Sequence, residues 1–180
     1  MKTVNVPVAG SLSPESLTLL EILNKRLGKV PNLFSVIAYS SPALSGYLQF
    51  EQDLSKGQFN PRYQEAIALV VSEVNSCPYC LAGHTAAAIS RGFTMEQTLA
   101  LRAGHSADSK LDVVLRLAQS ITLNRGEADP NLVAAFFAAD YNEPALIELV
   151  GLVTLRIFTN YVYALTKVPI DFHPAQPLIG

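Results

Sequence analysis

Two cysteines occur in the 180 residues, three apart in Cys77-Pro78-Tyr79-Cys80. Pro78 suits the first turn of a helix, where its missing N–H would be unpaired in any case. Cys77 is therefore expected at or near the N-cap. With about 100° of rotation per residue, Cys77, Cys80 and His84 share one helix face. Cys80 and His84 form an i,i+4 pair, close enough for a hydrogen bond. The free N–H groups at a helix start stabilise a thiolate. They can lower a thiol from its ordinary pKa of about 8.5 by one or more units. The thiolate is the nucleophile, and His84 can serve as base toward Cys80 or as proton donor to a leaving hydroxide. The helix-cap position favours Cys77 as the attacking sulfur, whereas the pairing with His84 favours Cys80.

A base works better when a third group orients it. The preceding helix, starting at Pro61, offers Glu65, and its apolar neighbours Ala66, Ile67, Ala68 and Leu69 suggest partial burial. If the two helices fold back at Asn75-Ser76, Glu65 lies about 15 Å from the turn and His84 about 10 Å. The offset is close to one helical turn, a gap for the glutamate and a bridging water to span. Ala86, Ala87 and Ala88 would allow close approach of the helices. Glu73 is the competing carboxylate, nearer the exposed end of its helix.

Other chemistries need ligands beyond the dithiol and His84. Zinc would require a fourth donor from His105, His173 or an acid. Haem attachment of the c type requires a histidine directly after the second cysteine. No metal or cofactor is expected. Three readings follow. The first is an oxidoreductase whose redox site is the Cys77/Cys80 dithiol with His84. The second is a non-catalytic redox-responsive or zinc-binding structural protein. The third is a lyase or isomerase acting on a small organic acid through Glu65 and His84. His105 and His173 read as solvated loop residues. Arg156, inside a long apolar segment, needs a carboxylate partner if buried, either in an internal ion pair or at a subunit contact. Phe34, Tyr47 and Phe50 suit an apolar pocket wall or plain core.

Helix punctuation supplies the frame that holds these residues. Ser13-Pro14, Ser41-Pro42, Asn60-Pro61 and Asp129-Pro130 each place a capping oxygen before a proline. Thr94 and Gln97 make a capping box. Gly28, Gly57, Gly92, Gly104 and Gly126 fall where helices should stop. These signals place helices near 14–27, 32–39, 42–56, 61–75, 77–91, 95–103, 109–125 and 130–139, and a long one at about 143–166. No alternating strand or two-residue hairpin turn is evident. The expectation is an all-α, single-domain helical bundle over 1–180. Its CxxC stands at the start of a central helix, and 1–12 and 170–180 are peripheral tails.

Composition narrows the setting. Hydrophobic residues make up 49% and charged residues 16%, with a formal net charge of -2. So little charge leaves apolar surface for another subunit to cover, which predicts a homo-oligomer. No cluster of Lys and Arg suggests nucleic acid, and Met1 to Gly10 lacks the apolar core of a signal peptide. Residues 145–168 are apolar enough to raise the question of a membrane span. Glu148, Arg156, Asn160 and Lys167 interrupt them, so a helix buried in protein is expected instead of membrane insertion. A cytoplasmic location, with thiols kept reduced, fits these features.

Glu65, eleven residues, Cys77-x-x-Cys80, three residues and His84 together resemble the alkylhydroperoxidase D family of the carboxymuconolactone decarboxylase-like superfamily. The stretch Gly28-Lys29-Val30-Pro31-Asn32-Leu33-Phe34, the pair Asn160-Tyr161 and the pair Asp171-Phe172 resemble its peroxidase-related branch. The likeness runs from about Pro14 to His173. It implies an all-α fold assembled into trimers or hexamers, and reduction of hydrogen peroxide or organic hydroperoxides without haem, flavin or metal. It further implies that Glu65 and His84 relay a proton to activate Cys80, that Cys77 resolves the sulfenate, and that a dithiol reductant such as a lipoyl-bearing protein restores the thiols. Asn160 and Tyr161 would close the pocket over the dithiol. The sequence departs from the family's stronger members at Tyr79, where they carry histidine. Tyrosine is a weaker proton carrier near neutral pH.

Overall fold

The computed structural model describes residues 4–8 and 10–178. The expectations that fall on residues 1–3, 9, 179 and 180 lie outside the described residues. Nine α-helices and no strand occur among those described: α1 (Pro14–Leu27), α2 (Asn32–Ile37), α3 (Ser41–Leu54), α4 (Pro61–Val74), α5 (Pro78–Ser90), α6 (Met95–Arg102), α7 (Ser109–Leu123), α8 (Pro130–Ala138) and α9 (Glu143–Thr166).

Local capping sets most of the boundaries. Ser13, Asn60 and Asp129 accept from N–H groups in the first turns of α1, α4 and α8. Thr94 and Gln97 close their capping box at α6. At α3 the cap falls one residue earlier than expected: Ser40 accepts from Ala43 N–H, so Ser41 is already helical and Pro42 follows it. Gly28, Gly92, Gly104 and Gly126 take the left-handed backbone that ends helices. Gly57 does not, because α3 has already closed at Ser55.

α4 is the hub, packing against α5, α6, α7 and α9. From Ala66 to Val71 all six of its residues are fully buried, so this stretch is apolar on every side. One core cluster joins α4 to α7, α8 and α9 through residues such as Leu69, Leu115, Phe136 and Leu149. A second gathers Leu23, Leu33, Leu44 and Tyr163 around Cys77 and Cys80. α4 and α5 form a hairpin whose turn is tight: Ser76 is left-handed (φ 48°), and Cys77 N–H donates to Ser72 O at 2.9 Å. A left-handed serine carries strain, and it aims Cys77 back into the bundle.

α9 is long and apolar enough to cross a membrane by length and composition alone. Here it lies against α3, α4 and α7, with Arg156 and Asn160 buried in protein contacts.

Candidate active site

Cys77 is the N-cap of α5 and Cys80 sits in its first turn. Both thiols are free and buried. The Cys77 thiol is held below the ordinary thiol range, first by the Cys80 thiol donating to it. The backbone N–H groups of Cys80 and Tyr79 and the Asn160 side chain add to this, against the cost of burial. The Cys80 thiol is pushed up by that same hydrogen bond, by burial and by the negative charge resting on Cys77. The pair therefore behaves as one acid: a first proton leaves easily and the second is retained. Cys80 also points its sulfur at Thr159 Oγ1, 3.9 Å away.

Glu65 and His84 meet directly, Oε2 to Nδ1 at 2.7 Å. The bridging water expected from axial counting is not needed. Burial pushes the Glu65 carboxyl up, but His84, Arg156 and Arg91 outweigh it and hold it below 4.5. An ionised carboxylate only accepts, so Nδ1 donates a proton to it and Nε2 is the nitrogen left for the chemistry. The expected Cys80–His84 hydrogen bond is not formed: Cys80 bonds to Cys77 and Thr159 instead. Both residues nevertheless line one cavity of about 280 Å³, together with Glu65. Cys77 lies behind it, outside the lining. Glu73, the competing carboxylate, pairs with buried Arg102 at 2.7 Å and stays away from the site.

The cavity wall is mostly apolar, with Leu33, Phe34, Tyr47 and Phe172 among its residues. Phe50 is not part of it; that ring packs near Gly151 beside a separate shallow groove. The segment after Pro169, expected as a peripheral tail, does more than cover the surface. Asp171 accepts from Tyr79 Oη at 2.5 Å and from Asn32 N–H at 3.3 Å, and Phe172 meets Tyr79 edge-on. Tyr79 Oη accepts in turn from Leu33 N–H at 3.1 Å. Burial and the Asp171 carboxylate raise the phenol well above its ordinary range. Tyr79 is thus a tie between α2, α5 and the tail. Asn160 is buried against Ser72 and Asn75 beside the sulfurs, whereas Tyr161 is exposed.

Arg156 is buried, as the sequence required, and its Nη1 donates to Tyr47 Oη at 3.0 Å and to Glu51 Oε1 at 3.4 Å. It lines the cavity opposite no partner that the sequence pattern revealed, since Glu51 lies 105 residues away. His105 is mostly exposed, 3.6 Å from Asp112, and His173 is exposed; neither approaches the thiols closely enough to line the cavity. Among the described residues no cluster of three or more His, Cys, Asp or Glu has the arrangement of a metal site.

Residues 42–120 match the model of the carboxymuconolactone decarboxylase family. An uncharacterised peroxidase-related protein from Silicibacter sp. TM1040 is 25% identical, with a TM-score of 0.77 over 94% of this chain and 89% of that one. An alkylhydroperoxidase AhpD core, a peroxidase-related protein from Ralstonia eutropha JMP134, is 16% identical, with a TM-score of 0.79 over 94% and 90%. A debrominase in complex with 2,3,4-tribromopyrrole is 17% identical, with a TM-score of 0.79 over 95% and 93%. These last two show a shared fold. No curated protein matches the sequence.

Proposed function

The chain belongs to the carboxymuconolactone decarboxylase-like superfamily, in its alkylhydroperoxidase D-like group, and on that footing we propose that it is a thiol-dependent peroxidase acting through a Cys77–Cys80 disulfide. The observation that carries this reading is the shared cavity: Cys80 and the Glu65–His84 pair face the same space, with Cys77 directly behind. Cys80 attacks the terminal oxygen of a hydroperoxide ROOH, passing its proton to the Cys77 thiolate. The O–O bond breaks and RO⁻ leaves, taking from His84 Nε2 the proton that Cys77 released on ionising, held until then as the imidazolium paired with Glu65, to give ROH. Cys77 then attacks the sulfur of the Cys80 sulfenic acid, and the hydroxyl departs as water with the Cys77 proton. Two thiols and ROOH thus become one disulfide, ROH and water. A dithiol reductant, such as the dihydrolipoyl group of a lipoyl-bearing protein, restores the thiols in a reducing cytoplasm.

The protein works as a homo-oligomer, a trimer or hexamer. An exposed apolar stripe along α9, from Ile147 through Val150, Phe158 and Tyr161 to Leu165, supports a second copy as its cover.

A coupled assay with hydrogen peroxide or cumene hydroperoxide and dihydrolipoamide tests the reading. Wild-type turnover that disappears in Cys80→Ser supports it, and equal rates in the two proteins overturn it. The aromatic cavity wall and the debrominase likeness favour one second reading, reductive dehalogenation of an aromatic halide. There two thiols and ArBr would give a disulfide, ArH and HBr. A brominated pyrrole in the same assay decides between them.

A further inference from the structure

Arg156 is 4% exposed, and it is a wall of the cavity that holds Cys80. Both of its hydrogen bonds leave from Nη1. Its Nε is buried with no acceptor. The guanidinium is a fork whose adjacent N–H groups match the two oxygens of a carboxylate. One edge of that fork is spent on Tyr47 and Glu51. The other, carrying Nε, is left without a protein partner. Proteins rarely leave such a donor unpaired outside functional sites.

The surrounding charges point the same way. Glu51 is shared between Arg156 and Arg26, which sits 2.9 Å from it at the cavity mouth. Glu65 is committed to His84. No lining carboxylate is therefore free to answer the open edge of Arg156. Lys29 and Arg26 line the same cavity, but each is already paired, with Asp171 at 3.4 Å and Glu51 at 2.9 Å, so the open donor edge in the cavity wall is that of Arg156.

The distance to the chemistry is short. Arg156 O accepts from Thr159 Oγ1 at 2.9 Å, and Thr159 Oγ1 is the group facing the Cys80 sulfur. Three residues along a helix rise about 4.5 Å. Arg156 and Cys80 also line the one cavity, so a small molecule anchored at the guanidinium can present a second functional group to Cys80 while its body rests on Leu33, Phe34 and Phe172.

We propose that Arg156 anchors the carboxylate of an organic substrate, so that the preferred hydroperoxide carries an acidic group a few bonds from the O–O bond. The proposal rests on the peroxidase reading for the identity of the reacting group, and on the cavity alone for the anion.

The test compares cumene hydroperoxide with its para-carboxylate derivative. A charge-assisted pair contributes about 1.5–3 kcal/mol, so wild type should favour the acid by roughly 10- to 100-fold in kcat/KM, mostly through KM. In Arg156→Gln that ratio should fall to near one, and Arg156→Lys should recover part of it. No preference in wild type, or a preference retained in Arg156→Gln, overturns the proposal. Wild type alone supplies a measurement free of turnover and of any folding defect in the variants. Titration with 4-isopropylbenzoate should saturate in calorimetry and shift the Arg156 Nε–H resonance. No binding sinks the anion site. Binding without reduction of either hydroperoxide keeps the site and removes the peroxidase reading instead.

Discussion

Glu65 Oε2 lies 2.7 Å from His84 Nδ1, a bond that ties α4 to α5 at the edge of the cavity holding Cys80. The carboxylate fixes the ring orientation and stabilises the imidazolium whose Nε2–H is the proton donor. Glu65→Gln keeps the shape but removes the negative charge that holds that proton on the ring. Peroxidase kcat/KM should fall by roughly 100-fold, the scale of a lost general acid. The fold should survive, as circular dichroism will report. A rate within twofold of wild type would remove His84 and Glu65 from the mechanism.

The same pair sets acid stability. The Glu65 carboxyl is held below 4.5 in the folded state, so the unfolded chain binds the proton more readily as pH falls. The stabilisation is complete above the unfolded value and is lost as pH drops through the folded one. Thermal unfolding of wild type should therefore weaken steeply below about pH 4.5. In Glu65→Gln the acid limb should be flatter, although the absolute stability near neutral pH is lower.

The thiol pair should titrate in two separated steps. Cys77 is depressed from 9.0 chiefly by the Cys80 thiol, with the helix N–H groups assisting. Thiolate absorbance in the ultraviolet should rise by one sulfur at a pH below 9.0, with the second sulfur resisting ionisation until far higher. Cys80→Ala removes the leading donor, so the Cys77 step should move upward. A wild-type protein whose two sulfurs ionise together near 9 would contradict the shared-proton arrangement.

What the sequence made legible was what depends on near neighbours. Asn60, Thr94 and the left-handed glycines act within four residues, so their pattern is readable in one dimension. The shared face of Cys77, Cys80 and His84 follows from helix rotation alone. Counting residues fixes a position along each helix but not the offset between two helices, which is why the direct Glu65–His84 bond was placed one turn too far apart. Contacts set by packing of distant segments left no local signal. Glu51 under Arg156 and the insertion of Asp171 and Phe172 beside Tyr79 are of that kind. Asn75-Ser76 marks the fold-back in the sequence, but the left-handed backbone of Ser76 is imposed by the turn and not preferred by the residue.

Tyr79, directly before the second cysteine, has its hydroxyl already committed to Asp171 and Leu33. A structural tie predicts a stability effect. Tyr79→Phe strands a buried backbone N–H and a carboxylate oxygen, at a cost of about 1–3 kcal/mol in chemical denaturation. A proton-relay role would instead reshape the pH–rate profile. The expected result is a lower unfolding midpoint with a pH–rate profile of unchanged shape, and a displaced limb in that profile would make Tyr79 part of the relay.

The stripe on α9 recurs at steps of three and four residues, so Ile147, Phe158, Tyr161 and Leu165 line one outer face of the longest helix. Leu165 is 84% exposed and Ile147 70%, values that water tolerates singly but not as a continuous row. A second copy burying this row would remove the apolar area from water at about 25 cal/mol per Å². Sedimentation should therefore find an oligomer at micromolar concentration. Leu165→Lys combined with Ile147→Lys places like charges on the row, opposite one another if the interface is symmetric, and should shift the protein toward monomer with the helical spectrum intact. Wild type sedimenting as a monomer across that range would leave the α9 face without its proposed cover.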